Sequence, residues 1–219
     1  MTARALRILI TAGGTREPID DVRFIGNLST GTTGAALAQA FAAHGHCVTL
    51  LRGQGAAEAG EGIDSESFSS GADLWKRLSA RLAASRYDAV VMAAAVADYA
   101  SASPVQGKIR SDARELVVTL ARTPKLLPMI KSASPAPLIV IGFKLTSRAG
   151  AAQRIAAVDA LWSKGGVDAV VQNDLAEIRS APVHPFHLHR APQTSPTSVY
   201  GAAGLATALE AFVRARLPH

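Results

Sequence analysis

Short apolar segments alternate along the chain with segments of helical periodicity, and this alternation limits the folds that the chain can adopt. The first apolar segment, residues 6–12, is rich in Ile and Leu and stops at Gly13, so it predicts a buried strand. After a long polar loop, residues 31–44 have an apolar helical face, and residues 47–51 predict a second strand. A strand, a crossover helix and a strand in this order are typical of a parallel βαβ unit.

The same alternation continues to the C-terminus. We predict further strands at 87–95, 116–120, 137–143, 167–172, 185–190 and 197–200, helices at 72–85, 124–131, 150–164 and 202–216, and a mobile loop at 54–70 with at most a short strand. The expected fold is a single α/β domain, 1–219, with a Rossmann-like, mostly parallel sheet, helices on both faces and a C-terminal antiparallel strand extension. Ligands of such sheets bind beyond the carboxyl ends of the strands.

Composition narrows the class of ligand and the compartment. The formal net charge of +6 favours anionic ligands, and the absence of Lys and Arg clusters interleaved with aromatic residues predicts no nucleic-acid partner. The single cysteine, Cys47, excludes an intrachain disulfide and fits a reducing compartment, and its apolar neighbours predict an inert core position. No apolar run reaches the ~20 residues of a membrane span, so we expect a cytoplasmic protein without a membrane partner.

The loop before the first predicted helix indicates an anion site. Residues 27–34 read NLSTGTTG, so hydroxyl groups and two glycines come just before and within the first helical turn. A helix N-terminus offers free N–H groups, and Gly31 and Gly34 permit a close approach of the backbone to a phosphate. The loop is neither a G-x-G-x-x-G turn directly after a strand nor a P-loop. The alternative is a helix capped by Ser or Thr, with a glycine for packing.

Several motifs, taken in order, resemble those of one enzyme family. They are TAGGTREPID at 11–20, VRFIGNLSTG at 22–31, AAAVADY at 93–99, GKIRS at 107–111, TPK at 123–125, GFKL at 142–145 and QND at 172–174. These motifs extend over nearly the whole chain, and in them the chain resembles the phosphopantothenoylcysteine synthetases. Arg110 and Ser111 stand where members fused to a flavin-dependent decarboxylase carry lysines, and the first strand is predicted near residue 6, so the resemblance is to the stand-alone bacterial type.

The resemblance implies a reaction and its partners. Such ligases join 4′-phosphopantothenate to cysteine through an acyl-nucleotide intermediate, with release of pyrophosphate. They use CTP or ATP with Mg²⁺, have a Rossmann-like fold and act as homodimers. The sequence leaves the choice between CTP and ATP open.

The resemblance also implies roles for individual residues. Asn27 and Lys108 are expected to be catalytic, since an amide can orient the acyl-nucleotide and an ammonium group can neutralise charge on departing pyrophosphate. The substrate-binding positions are Arg23, Asn27, Ala94, Ala95 and Asp98, with Arg23 reaching the neighbouring subunit's substrate. The nucleotide-binding positions are Gly13, Ser29, Gly31, Gly34, Lys108, Phe143 and Asn173. No residue is assigned as a metal ligand.

Structural alternatives exist for several of these residues. Arg23 can form a surface ion pair with Asp20 or Asp21, Phe143 can serve core packing, and Lys108 can be a solvated loop lysine. The pattern H-x-x-H-x-H at 184–189 is conceivable as a zinc site, but no acidic or Cys residue is near it in the sequence.

Other functions remain open at this stage. In an NADP- or flavin-linked Rossmann-type oxidoreductase, Arg52 after the second strand could meet a 2′-phosphate, but the G-x-G-x-x-G turn is missing. A non-catalytic nucleotide-binding module would not need Asn27, Asp98 and Lys108. A diverged ligase acting on a different carboxylate and amine keeps the same activation chemistry.

Overall fold

A computed structural model describes residues 4–217 of the chain. The described residues form the strands β1 (Arg7–Ala12), β2 (Arg16–Pro18), β3 (Phe24–Gly26), β4 (Cys47–Gly53), β5 (Asp64–Phe68), β6 (Ala89–Met92), β7 (Tyr99–Ser101), β8 (Leu120–Arg122), β9 (Ile139–Thr146), β10 (Ala169–Asp174), β11 (Pro185–His189) and β12 (Thr197–Tyr200). The α-helices are α1 (Thr32–Ala43), α2 (Gly71–Ala84), α3 (Ala151–Ser163), α4 (Leu175–Ser180) and α5 (Gly201–Arg214).

Eight of the strands form one sheet in the order β12-β11-β10-β9-β6-β1-β4-β5. The strands from β10 to β5 are parallel; in the centre, Leu9 of β1 is in register with Thr49 of β4 and Val90 of β6. The last two strands are antiparallel, with Val171 of β10 opposite Leu188 of β11. The predicted mostly parallel sheet with a C-terminal antiparallel extension is therefore confirmed.

Helices cover both faces of this sheet, because successive side chains of each strand point to opposite sides. Ile8 and Ile10 of β1 are buried with apolar residues of α1 and α5, whereas Leu9 between them is buried on the other side with residues of α2 and α3. Small residues allow α1 to lie close to the sheet: a Cβ atom on Gly34 would be only 2.5 Å from the Cβ of Ala12.

Two short hairpin-like arms extend from the loops at the carboxyl end of the sheet. The first pairs β2 with β3, and the second pairs β7 with β8, each antiparallel. The arms leave large apolar side chains exposed, and we call this the apolar arm surface: Val22, Phe24, Tyr99 and Leu120, whose exposed fractions are 60%, 53%, 45% and 39%. Exposed apolar side chains gathered in this way are typical of a surface that another protein covers.

The structure differs from the sequence prediction at several elements. In the region 54–70, the one short strand that the sequence allowed is β5, an edge strand paired with β4 along its length. The predicted helix at 124–131 consists of short 3-10 turns, and α4 was not predicted. The predicted strand at 116–120 lies instead at Leu120–Arg122, because pairing with β7 rather than apolar character defines it.

The buried position predicted for Cys47 is wrong, because its side chain is exposed. Cys47 is the first residue of β4, and Arg7, its partner in the β1 register, is exposed as well. Both therefore lie at the amino-terminal rim of the sheet, outside the two cores. Among residues 4–217, none of the helices has the length and apolar character that a bilayer span would need.

Candidate active site

A large cavity of about 1070 Å³ lies at the carboxyl ends of the parallel strands. Its walls come from the loop before α1 (residues 27–34), the segment after β6 (92–98), residues 123–128, the end of β9, the end of α3, and residues 173, 175, 178 and 184. The chain leaves β1 toward β4 on one side and later forms β6 on the other, so this is where the strand order reverses. Open α/β sheets bind ligands at that point.

The N-terminus of α1 opens into this cavity without a cap. Gly31 precedes the helix in a left-handed conformation with φ 74°, and no side chain in the described part of the chain caps the first turn. Helical bonding starts with the N–H of Ala35, which donates to the carbonyl of Gly31 at 3.0 Å. The alternative of a Ser- or Thr-capped helix is therefore wrong, since the hydroxyl groups of Thr30 and Thr32 bond to each other at 3.1 Å. The free N–H groups and the helix dipole favour an anion.

The glycines of this loop serve packing as well as access. A Cβ atom on Gly31 would lie 2.8 Å from the Cβ of Ala56, and the positive φ already disfavours any other residue there. Gly31 and Gly34 line the cavity, whereas Gly13 lies behind its wall, with its carbonyl accepting the N–H of Ala95 at 2.8 Å. Gly13 therefore supports the cavity from beneath and does not line it.

The loop after β6 forms the opposite wall and is bonded to the first loop. Ala94, Ala95 and Asp98 all line the cavity. The amide nitrogen of Asn27 donates to the main-chain oxygen of Val96 at 3.2 Å, which joins the two loops across one end of the cavity. Asn27 and Ser29 both line the cavity and are exposed to it.

Asp98 is the one carboxylate among the described residues that line the cavity. It forms an ion pair with Lys125, and both side chains are about half exposed or more, at 66% and 51%. The hydroxyl of Thr123 donates to the carbonyl of Ala97 at 2.6 Å and holds the two segments together. The cavity therefore carries one acidic group beside a basic group at its outer rim.

An aromatic and amide cluster forms the end of the cavity near β9 to β11. The half-buried Phe143 ring meets Phe186 edge to face, with centroids 6.4 Å apart, and His184 stacks on Phe186 at 4.1 Å. Asn173 is only 8% exposed, and its amide nitrogen is 3.0 Å from Nε2 of His184. Burial lowers the pKa of His184 below its ordinary value of 6.5. Core packing accounts for only part of the surroundings of Phe143: its side chain packs against the core and also lines the cavity.

Arg23 and Lys108 do not line this cavity within their own protomer. Arg23 pairs with Asp20 at 2.6 Å and donates to the carbonyl of Ile109 at 3.1 Å, so the ion pair considered from the sequence is formed. Lys108 lines a separate depression of about 350 Å³ with residues 109–112. The two loops do pack together, since the N–H of Gly107 donates to the carboxylate of Asp21 at 2.9 Å.

The buried carboxylate of Asp20 organises this region. Burial alone would raise its pKa, but the main-chain N–H groups of Val22, Ile109 and Arg23 and the Arg23 guanidinium together lower the pKa to about 2. Asp20 therefore stays ionised and fixes the loop that carries Lys108.

Sequence reasoning assigned no site role to several cavity residues that carry charge or hydrogen-bonding capacity, among them Lys125, Lys144, Lys164 and His184. Lys144 and Lys164 line the cavity, and His184 contacts Asn173 there. Lys144 directly follows Phe143 in the GFKL motif, which was a usable signal. His184 had none, because α4 folds residues 175–180 back and brings it beside Asn173.

One group of potential metal ligands exists among residues 4–217, and it lies away from the cavity. His44, His46 and Glu210 place ligand atoms within 4.8 Å of one another, between the end of α1 and α5. Nδ1 of His46 accepts the N–H of Leu6 at 3.3 Å, so in the neutral ring Nε2 carries the proton. Arg214 already pairs with Glu210 at 2.8 Å. The group is a polar network between the end of α1 and α5, with one ion pair, Arg214–Glu210, and a contact of 3.0 Å between Nδ1 of His44 and Glu210.

The 184–189 histidines also form ordinary contacts rather than one cluster. Nε2 of His187 lies 3.0 Å from Glu177 of α4, an acidic partner that the sequence spacing did not reveal, and its Nδ1 is 3.1 Å from the hydroxyl of Ser198. His184, by contrast, faces the cavity and Asn173. The two rings therefore have separate partners.

These features together define a class of protein. A mostly parallel sheet with its cavity at the strand-order reversal, and an uncapped helix N-terminus in that cavity, define an α/β protein built to bind a phosphorylated or otherwise anionic ligand.

The chain belongs to the family described as DNA/pantothenate metabolism flavoprotein C-terminal domain, whose sequence profile matches residues 3–182. The coenzyme A biosynthesis bifunctional protein CoaBC of Thermococcus kodakarensis is 33% identical over 171 residues, which are 77% of this chain and 41% of that protein. The CoaBC protein of Mycobacterium tuberculosis is 45% identical over 105 residues, 48% of this chain and 25% of that protein. The chain thus spans well under half the length of these curated relatives.

Solved structures share the fold. A DNA/pantothenate metabolism flavoprotein from Streptococcus pneumoniae superposes with a TM-score of 0.84 at 26% identity, covering 97% of this chain and 100% of that chain. A Cab2 mutant in complex with phosphopantothenate-cysteine superposes with a TM-score of 0.78 at 19% identity, covering 96% and 86%. The second likeness supports the fold alone.

Proposed function

We propose that this protein is a phosphopantothenate–cysteine ligase of coenzyme A biosynthesis. The uncapped N-terminus of α1, which faces the Ala94–Asp98 segment across the cavity, is the observation that carries the proposal. The carboxylate of 4′-phosphopantothenate attacks the α-phosphorus of a nucleoside triphosphate, and pyrophosphate leaves. The amine of cysteine then attacks the acyl carbon, and the nucleoside monophosphate leaves.

The nucleotide binds between α1 and the β9–β11 side of the cavity. The free N–H groups of residues 32–34 and the hydroxyl of Ser29 receive phosphate oxygens, and Gly31 and Gly34 allow their approach. Phe143 and Asn173 flank the base, because both line the cavity on the side where His184 stacks on Phe186. Gly13 supports this site from beneath through its bond to Ala95.

The acid substrate lies against the second loop. Ala94 and Ala95 leave room for its pantothenate chain, and Asn27 is placed to bind it from the opposite loop. The Cab2 mutant, which shares this fold, was solved in complex with phosphopantothenate-cysteine. In the reaction proposed for this chain, phosphopantothenoylcysteine is the product that the cavity releases.

Mg²⁺ fits the donor set of the cavity. This ion prefers one or two carboxylates together with phosphate oxygens and water, and Asp98 supplies a carboxylate at the rim. When bound, Mg²⁺ would neutralise phosphate charge. To reach the ion, Asp98 would have to break its ion pair with Lys125. The Lys125 ammonium group would then be free to bind the phosphates or the substrate.

The active enzyme is a homodimer in which Arg23 and Lys108 serve the neighbouring subunit's cavity. Two observations support this arrangement. Neither side chain lines the cavity of its own protomer, and the apolar arm surface beside them is exposed in a single chain. A two-fold axis through the arms would cover that surface and bring both groups to the other cavity.

The oxidoreductase alternative is not supported by the geometry of Arg52. Its guanidinium pairs with Glu58 at 2.8 Å and donates to the carbonyl of Ala56 at 3.3 Å. Both contacts hold it on its own loop, outside the residues that line the cavity.

The test is a product assay. The protein is incubated with phosphopantothenate, cysteine and each nucleoside triphosphate in turn, and products are identified by mass spectrometry together with pyrophosphate release. Ligation with CTP or ATP supports the proposal. If product forms only when another carboxylate or amine is supplied, the protein is a diverged ligase. If it binds NADPH and none of the nucleoside triphosphates, the oxidoreductase alternative is favoured.

A further inference from the structure

A carboxylate and an ammonium group lie side by side at the base of the arm formed by β7 and β8. Asp98 directly precedes β7, and Lys125 follows β8. The two strands pair antiparallel, with Tyr99 opposite Arg122. Next to that pair, the N–H of Thr123 donates to the carbonyl of Asp98 at 3.0 Å. The backbone therefore holds the two segments together, and the ion pair between Asp98 and Lys125 forms across them.

This ion pair belongs to the cavity. Within the described part of the chain, it is the one ion pair whose two members both line the cavity. It also lies near Asn27, whose amide nitrogen bonds to the main-chain oxygen of Val96, two residues before Asp98. Two extended residues span at most about 7 Å. A ligand held by Asp98 and Lys125 is therefore close to the acyl group that Asn27 is proposed to orient.

The pair matches a ligand that carries one charge of each sign. In an α-amino acid, the ammonium and the carboxylate are attached to the same carbon atom and lie side by side. Asp98 can accept hydrogen bonds from the amino group, and Lys125 can donate to the carboxylate. When such a ligand binds, two contacts to the ligand replace the contact between Asp98 and Lys125, and no charge is left without a partner.

The other two substrates of the proposed reaction do not match the pair in this way. A nucleoside triphosphate and phosphopantothenate carry anionic groups without a cationic group, so their charges complement only Lys125 and not Asp98. For these anions the cavity already provides the uncapped N-terminus of α1.

We propose that Asp98 and Lys125 form the subsite for the amino-acid substrate, and that Lys125 recognises its α-carboxylate. The inference rests on the proposed function, in which cysteine supplies the amine, and it goes further by assigning the place of the amino acid and the group that is recognised. In that reaction pyrophosphate leaves before the amine attacks, so both side chains are available at that stage. The Asp98 carboxylate accepts hydrogen bonds from a neutral amine as well as from an ammonium group, so it holds the nitrogen in either state.

Cysteamine provides the test, because it is cysteine without the carboxylate. At saturating phosphopantothenate and nucleotide, the wild type should have a higher kcat/KM for cysteine than for cysteamine. In Lys125→Met the ratio of these two values should fall by about tenfold or more, because a charge-assisted contact to the carboxylate is lost. Lys125→Arg keeps the positive charge and should retain most of the preference.

Two further variants separate the parts of the subsite. Asp98→Asn should lower kcat/KM for both amines and leave their ratio near the wild-type value, because cysteine and cysteamine share the amino group. Lys131→Met is the matched control, since Lys131 forms an ion pair with Asp168 at 2.7 Å outside the cavity, and its ratio should not change. Exposed ion pairs contribute little to stability, so these variants should fold, which circular dichroism checks.

Pyrophosphate release without any amine separates this inference from the proposed function. It reports formation of the acyl-nucleotide alone, and in a single turnover Lys125→Met should release pyrophosphate at the wild-type rate. If the wild type releases none and forms no product, the ligase proposal fails. NMR titrations with cysteine and cysteamine then test the subsite by itself, and tighter binding of cysteine that is lost in Lys125→Met would support it.

The inference is overturned if the wild type uses or binds cysteine and cysteamine equally well. It is also overturned if Lys125→Met keeps the wild-type ratio. Slower release of pyrophosphate in Lys125→Met, together with an unchanged ratio, would assign Lys125 to the phosphates instead.

Discussion

The amide nitrogen of Asn27 lies 3.2 Å from the main-chain oxygen of Val96, and this bond connects the two loops that face each other across the cavity. Asn27 is exposed to the cavity and does not cap α1. Its amide is thus available both to the second loop and to a ligand lying between the loops.

Substitution of Asn27 should separate the two halves of the reaction. In Asn27→Ala, phosphate binding at α1 is retained, so the acyl-nucleotide should form, but its transfer to cysteine should slow because the intermediate is no longer oriented. Single-turnover assays with mass spectrometry should show the intermediate accumulating. Unchanged turnover in Asn27→Ala would remove Asn27 from the mechanism.

Loss of the Lys108 ammonium group should reduce catalysis without affecting the fold. In Lys108→Ala we expect kcat to fall by the equivalent of at least ~2 kcal/mol, because charge on the departing pyrophosphate is no longer neutralised. Steady-state kinetics and circular dichroism together measure this. Lys76→Ala, at an exposed position of α2, is the matched control and should behave like the wild type.

Complementation should show whether Arg23 acts in the neighbouring subunit. Arg23→Ala and Asn27→Ala should each be nearly inactive, but a mixed dimer would contain one site with both native residues. After equal mixing and subunit exchange, about a quarter of wild-type activity should return. No recovery, with mixed dimers demonstrated by mass spectrometry, would place Arg23 in its own subunit's site.

The close approach of α1 to β1 predicts a stability cost at Gly34. In Gly34→Ala the new methyl group would lie 2.5 Å from the Cβ of Ala12, so we expect a loss of about 1–3 kcal/mol in the free energy of unfolding. Gly204→Ala in α5 is the control, since nothing lies within 4 Å of the added carbon. It should stabilise the helix by about 0.5–1 kcal/mol. Urea unfolding of both variants checks the pair.

The ionised Asp20 predicts a particular acid response. Its folded pKa is lowered to about 2 from the ordinary value of 3.8, so its contribution to stability is complete above 3.8 and is lost as pH falls through 2. The stability difference between the wild type and Asp20→Asn should therefore be largest near neutral pH and vanish in strong acid. A difference that did not change with pH would contradict this. Asp112→Asn, which removes an exposed charge paired with Arg110, is the control.

The sequence predicted the main sheet well because its strands are buried and strongly apolar. It was less definite where pairing alone defines a strand: the sequence allowed at most a short strand in 54–70, and β5 (Asp64–Phe68) has mostly polar residues and is a strand through its bonds to β4. Cys47 was misplaced because periodicity does not show where a strand emerges from under its helices.

The candidate site could also be predicted only in part. One cavity is lined by Asn27, Ser29, Ala94, Ala95, Asp98, Phe143 and Asn173, because each follows a strand or precedes a helix at one edge of the sheet. Lys108 and Arg23 could not be placed by such reasoning, since their position depends on the fold of the arms. His184 was not recognised because its proximity to Asn173 arises from a helix that has no periodic signal.

The exposed thiol of Cys47 has a practical consequence. It is the only cysteine of the chain, and it sits at the rim of the sheet opposite the cavity. A fluorophore or spin label attached there would occupy a unique position, remote from the cavity, on every copy. Distances between labels on different chains would thus report how subunits are arranged, without any engineering of the sequence.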